Sequence, residues 1–99
     1  MLPRHRLPTH PGEMLLEEFL KPMRITQVAF ARHVDIPLQR LNQLVKGKRG
    51  VTPDTAWRLS QALKTTPEFW MNLQAAYDLA RHRPAHRVQP LGRRPRLAV

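Results

Sequence analysis

Cysteine is absent from this sequence, which excludes disulfides, thiolate metal sites and thiol catalysis and fits a reducing compartment. No apolar run approaches the ~20 residues that span a bilayer. The first residues, Met1-Leu2-Pro3-Arg4-His5-Arg6-Leu7-Pro8, carry cations with no apolar stretch behind them, so they do not read as a secretory signal. A soluble cytoplasmic protein without a membrane anchor is expected. Acids are also scarce, 7 Asp and Glu against 17 Lys and Arg, for a net charge of +10. Such a surplus favours a polyanionic partner, nucleic acid or an anionic membrane face.

The surplus is unevenly placed. Arg4 and Arg6 lie at one end and Arg81, Arg83, Arg87, Arg93, Arg94 and Arg96 at the other, so residues 11–80 hold all the acids and are close to neutral. A flexible arm over residues 1–9 and a basic Pro/Arg-rich tail over 82–99 are expected, because Pro84, Pro90 and Pro95 forbid a long helix there. The tail is expected to add nonspecific phosphate contacts. Residues 10–81 read as one helical domain, near the lower size limit for an independent core and therefore helped by a partner or a second copy.

Within that domain the punctuation is helical throughout. His10-Pro11-Gly12-Glu13 is a start signal, followed by the stripe Leu15, Leu16, Phe19, Leu20 and a stop at Pro22. Thr26 caps a second helix to about His33, with Ala29, Phe30 and Val34 inward. Pro37 begins a third, with Leu41, Leu44 and Val45 inward and Gly47 as its stop. Thr52-Pro53-Asp54 and Thr66-Pro67-Glu68 open a fourth and a fifth. Ala56, Leu59, Ala62 and Leu63 stripe the fourth, and Phe69, Trp70, Leu73, Ala76 and Tyr77 the fifth. Trp57 reads as partly buried. The expected fold is all-α: a compact five-helix, lambda-repressor-like DNA-binding domain with flexible basic termini.

The segment from Thr26 to Arg49 carries the functional signal. Its two short helices are separated by Val34-Asp35-Ile36-Pro37, which forces a steep crossing. Asp35 falls where a left-handed residue is usual, and Ile36 plugs the core beneath the turn. With Leu41, Leu44 and Val45 buried, Gln39, Gln43 and Lys46 form one exposed strip at i, i+4 and i+7, flanked by Arg40 and Asn42. Amides and guanidinium read base edges in the major groove, and Leu38 at the helix start could meet a thymine methyl. A merely solvated polar face is the plain alternative. Lys46, Lys48 and Arg49 and the free amides beside Thr26 and Gln27 favour the DNA reading, since they supply phosphate anchors to the same unit.

These residues resemble the Xre/Cro-type helix-turn-helix, through Thr26-Gln27, Phe30-Ala31 and Gly47-Lys48-Arg49. About 70 residues are similar to the HigA (VapI-like) antitoxin family. The start motif His10-Pro11-Gly12-Glu13, Leu16-Glu17-Glu18-Phe19-Leu20, Asn42, Thr52-Pro53-Asp54-Thr55-Ala56 and Pro67-Glu68-Phe69-Trp70-Met71-Asn72-Leu73-Gln74 with Tyr77-Asp78 carry that likeness. The resemblance implies an antitoxin of a type II toxin-antitoxin system. Such a protein binds a HigB-type (RelE-like) mRNA endonuclease toxin and represses its own operon on operator double-stranded DNA. It also implies a homodimer to which the last helix contributes. Matched by position, Leu38, Gln39 and Gln43 are the expected base readers, and Gln27, Lys46, Lys48 and Arg49 the phosphate-binding residues. Arg40 and Asn42, flanking the strip, are grouped with the base readers, and Thr26, beside Gln27, with the phosphate-binding residues. Trp70, Leu73, Gln74 and Tyr77 are the expected dimer contact. Asp35 replaces the usual glycine of the turn, and Leu38 is apolar where a polar residue or proline is common.

A stand-alone Xre-family repressor without a toxin, and an adaptor whose basic ends bind RNA, are the competing readings. His82 and His86 have helical ligand spacing, but Pro84 interrupts it and no third ligand is near, so no metal is expected. No catalytic constellation is visible. An enzyme, a cofactor or a small-molecule substrate is not expected.

Overall fold

The computed structural model describes residues 8–92, and within them it contains helices and loops with no strand. Five helices follow one another. Helix α1 covers residues 11–23, in three consecutive pieces, Pro11–Leu15, Leu16–Leu20 and Lys21–Met23. Helices α2, Gln27–Val34, and α3, Leu38–Val45, follow, then α4, Pro53–Leu63, and α5, Pro67–Arg81. The expectations for residues 1–7 and 93–99 lie outside the described residues.

Local chemistry sets most of these boundaries. The Thr26, Thr52 and Thr66 hydroxyls accept from the amides of Ala29, Thr55 and Phe69, three residues on, each occupying a donor that the first turn leaves open. At α1 the cap is an imidazole: His10 Nδ1 accepts from the Gly12 amide at 2.9 Å. The helix does not stop at Pro22 but runs one residue further, to Met23. Its middle piece, Leu16–Leu20, is a π turn. Only Lys21 separates that wide turn from the proline, whose ring opposes the carbonyl four residues back and which has no N–H to donate.

Left-handed residues close three helices: Arg24, Asp35 and Lys64, with φ of 56°, 57° and 58°. In each case the following amide reaches back to the preceding helix, as Ile36 N–H does to the Ala31 carbonyl at 3.0 Å. This arrangement satisfies the orphan carbonyls of the last turn. Gly47, with φ of 76°, ends α3 the same way, the Lys48 amide donating to the Gln43 carbonyl at 2.9 Å.

The core is built from Leu15 and Leu20 of α1, Phe30, Ala31 and Val34 of α2, Leu41 and Leu44 of α3, Ala56 and Leu59 of α4 and Trp70 of α5, with Ile36 and Val51 from the loops. Trp70 is completely buried. Its indole N–H donates to Thr65 Oγ1 at 2.7 Å, and Phe19 and Phe69 pack on its ring at 5.5 and 5.0 Å. Three expectations are corrected. Ala76, placed in the apolar stripe of α5, is exposed, because the inward side of that helix runs through Trp70, Leu73, Gln74 and Tyr77. The inward alanine of α2 is Ala31, with Ala29 exposed. Trp57 stands 56% exposed, because α4 turns Ala56, Leu59 and Ser60 to the core and leaves the next position outside.

The tightest junction lies between α1 and α3. A β-carbon on Gly12 would sit 1.8 Å from the Leu44 carbonyl oxygen, so only glycine fits. His10, beside it, is buried and meets the Tyr77 ring edge-on at 4.7 Å. Burial holds its pKa below the ordinary 6.5, aided by Arg81 and opposed by Asp78 and Glu13.

Gly12→Ala is expected to cost more than about 3 kcal/mol, the scale of forced overpacking against rigid backbone, or to prevent folding, as read by urea denaturation. His10 must be neutral to accept from Gly12. Its stabilising contribution is therefore complete above the unfolded-state pKa, near 6.5, and is lost as pH falls below that value toward the depressed folded pKa. Urea titrations between pH 7.5 and 5.5 should show that loss, and His10→Asn, which keeps an acceptor without a proton to gain, should reduce it.

Candidate nucleic-acid interface

Helices α2 and α3 are short, eight residues each, and are joined by Asp35-Ile36-Pro37. Asp35 adopts φ 57°, ψ 48°, the left-handed conformation that its short polar side chain tolerates. Ile36 is buried beneath the turn. Arg58 of α4 secures it from the other side: its Nη1 donates to the Val34 carbonyl at 2.9 Å and the Asp35 carbonyl at 3.3 Å. Its Nε donates to Asp54 at 2.9 Å. One guanidinium therefore satisfies two carbonyls at the end of α2 and fixes the turn to α4.

The outer side of α3 has the predicted composition. Gln39 and Lys46 are exposed, Gln43 is half-buried, and Leu38 is 44% exposed at the first helical position. Two hydrogen bonds join this side to its surroundings. Asn42 Nδ2 donates to Gln27 Oε1 at 3.3 Å, tying α3 to the first residue of α2. Arg49 Nε donates to Gln43 Oε1 at 3.1 Å, folding the loop after α3 back along the helix. Both pairs leave amide hydrogens of Gln27 and Gln43 for another acceptor. Thr26 occupies the Ala29 amide, so the amides of Gln27 and Val28 open the N-terminus of α2 to an anion. The amide strip, that helix N-terminus and Lys46, Lys48 and Arg49 thus form one contiguous polar and cationic surface.

Other expected positions are occupied differently. Arg40, grouped with the base readers, turns toward α4: its Nη2 lies 3.5 Å from Thr55 Oγ1 and 3.7 Å from Asp54 Oδ2. It sits on the flank of α3 nearest α4, where a carboxylate and a hydroxyl compete for it. Asn42 serves first as the link to Gln27. The expected dimer contact is largely consumed within the protomer. Trp70 has no exposed surface, and Leu73 packs on the core. Gln74 accepts from the Val51 amide at 2.7 Å and donates to Asp78 at 3.0 Å. Tyr77 is held between His10 and the Arg81 guanidinium, 4.7 Å from its ring centroid. His82 caps the end of α5, so His82 and His86 do not share a helix.

The clamp by Arg58 was not foreseen. Its i, i+4 spacing from Asp54 was visible in the sequence, but its reach to carbonyls more than twenty residues away was not.

Two short helices joined by a three-residue turn, the second presenting amides between flanking cations, define a helix-turn-helix. The profile of the helix-turn-helix family matches residues 16–70. Virulence-associated protein I of Dichelobacter nodosus is 44% identical over 70 residues, covering 71% of this chain and 65% of its own length. Antitoxin HigA-1 of Vibrio cholerae is 45% identical over 75 residues, 75% of this chain and 70% of that protein. Among solved structures, the Pseudomonas aeruginosa antitoxin HigA with the higBA promoter superposes with a TM-score of 0.73 at 42% identity, covering 75% of this chain and 80% of that one. Antitoxin GraA in complex with its operator gives 0.70 at 46% identity, covering 80% of each chain. The chain belongs to the helix-turn-helix family, in its HigA/VapI-like branch.

Arg58→Ala should destabilise the fold by about 1 kcal/mol, the scale of a net hydrogen bond, since the Val34 carbonyl is only part-buried and that of Asp35 is exposed. Hydrogen exchange should show faster opening at Asp35 and Ile36 than in α5; uniform acceleration would mean that the turn does not depend on this guanidinium.

Proposed function

We propose that this protein is a cytoplasmic antitoxin that represses its own operon by binding operator DNA as a dimer and neutralises a RelE-like mRNA endonuclease. It acts by binding, as neither an enzyme nor a carrier of a cofactor. The observation that carries the DNA half is the shared surface of α2 and α3. Gln39, Gln43 and Leu38 read base edges in the major groove, while Gln27, Lys46, Lys48, Arg49 and the α2 N-terminus grip the backbone. The bond from Asn42 Nδ2 to Gln27 Oε1 orders this surface before DNA arrives, which reduces the side-chain entropy lost on binding, while the Gln27 amide hydrogens stay available to an acceptor.

Named relatives support both halves, since one solved neighbour is an antitoxin held with the higBA promoter and another an antitoxin with its operator. For the dimer, the outward side of α5 remains available: Ala75 and Ala76 are exposed there and Leu79 is 76% exposed. A two-fold pair would place its recognition helices about 34–36 Å apart, or a multiple of that distance, on an inverted repeat.

Titrating the chain against the DNA upstream of its gene tests this reading. Gln39→Ala is expected to lose about 1–3 kcal/mol of preference for operator over unrelated duplex. Lys48→Ala should weaken every duplex alike and reduce the salt slope by about 1. Unchanged operator preference in a Gln39→Ala/Gln43→Ala double variant would exclude α3 as the reading helix.

A further inference from the structure

Most of the acid in this basic chain lies away from α2 and α3. Glu13, Glu17 and Glu18 are exposed on α1 and Glu68 at the start of α5, and no Lys or Arg occurs between residues 7 and 20. Beside these acids an open groove of about 600 Å³ runs between α1 and the start of α5. Met14, Phe19 and Phe69 contribute its apolar lining and Glu13, Glu17 and Glu18 its polar lining. Glu17 pairs with Lys21 at 2.7 Å. Among the described residues, Glu13 and Glu18 form no ion pair. The groove shares no residue with the surface assigned to DNA.

We propose that this groove is the docking site for an arginine-bearing surface segment of the toxin. The assignment rests on the toxin reading above and adds the place of contact. Three properties select that occupant. A carboxylate rim repels nucleic acid and anionic lipid, so the complementary partner is cationic. An enzyme that binds mRNA must itself present cations to phosphates. An aromatic lining beneath carboxylates suits arginine in particular: the guanidinium stacks on a ring or pairs with a carboxylate, and its stem covers apolar surface. Docking here leaves the α2–α3 surface open, so toxin and operator can be held at once.

The test uses the full chain and the product of the reading frame adjoining its gene, with affinities measured by calorimetry and operator binding measured in parallel. Glu18→Arg is expected to weaken the protein complex at least tenfold and Glu18→Gln by less, as charge reversal exceeds neutralisation at a desolvated contact. Operator affinity should stay within about twofold in both variants, which also reports that they fold; higher salt should weaken the wild-type protein complex. A wild-type complex unaffected by Glu18→Arg overturns the docking site and leaves the toxin reading intact. A wild-type chain that binds operator but not the adjoining product overturns both. A change in the oligomeric state of the free chain in Glu18→Arg assigns the groove to a second copy and overturns the proposal.

Discussion

The structure depends on a backbone-to-backbone contact at the start of α1. Gly12 lies so close to the Leu44 carbonyl that no side chain fits between them. This contact sets the height of the last turn of α3 relative to the first turn of α1. Everything after that turn inherits its position: Gly47 reverses the chain, and Lys46, Lys48 and Arg49 project from either side of it. His10 adds a second restraint by capping α1 through one ring nitrogen while packing edge-on against Tyr77 of α5. The cationic loop after α3 is thus positioned by α1 and α5, helices outside the α2–α3 pair.

The other end of α3 is held by charge. Asp35 takes a left-handed conformation, at a conformational cost of about 1–2 kcal/mol for a residue with a β-carbon. The same backbone position gains two returns: the amide of Ile36 closes α2, and the carbonyls of Val34 and Asp35 accept from Arg58. Asp54 lies between Arg58 and Arg40, orienting the Arg58 guanidinium within α4 and drawing that of Arg40 from α3 toward α4. These pairs are partly solvated, so each contributes little energy alone. Of these pairs only Arg40–Asp54 reaches α3, adding a restraint on its flank; burial of Leu41 and Leu44 sets which side chains of α3 face outward.

What could be read from the sequence was the local chemistry. A threonine cap, a first-turn proline and a left-handed aspartate act within three or four residues, so Thr26, Thr52, Thr66 and Asp35 were assignable without a fold. The outward strip of α3 followed from helical period alone. Errors arose where two positions satisfied the same pattern. Ala29 and Ala31 both suit a small inward residue, and only the crossing of α2 with α3 and α4 selects Ala31. Trp57 and Trp70 both sit in helices with polar neighbours, and the packing of α5 against α1 decides which is buried. Arg40 has the right side chain for a base reader, but Asp54 and Thr55, distant in sequence, stand within its reach. The pairing of Gln74 with the Val51 amide likewise needed the tertiary structure.

The charge pattern adds a constraint that neither helix period nor family likeness supplies. A domain whose middle is nearly neutral could have scattered its acids among its bases, and a scattered pattern would weaken attraction to any polyanion. Instead the acids divide by task. Asp54 and Asp78 are occupied in internal contacts, at Arg58 and Gln74. Asp35 sits in the turn, and the glutamates gather on α1 and the first turn of α5. No acid interrupts the chain between Asp35 and Asp54, which includes α3 and its cationic loop. Over separations of more than about 8–10 Å, salt screens exposed charges from one another, so a surface with acids and bases on different faces behaves as two local fields. The face around Gln39 and Lys48 is therefore locally cationic although residues 11–80 are close to neutral, and the glutamate face is locally anionic.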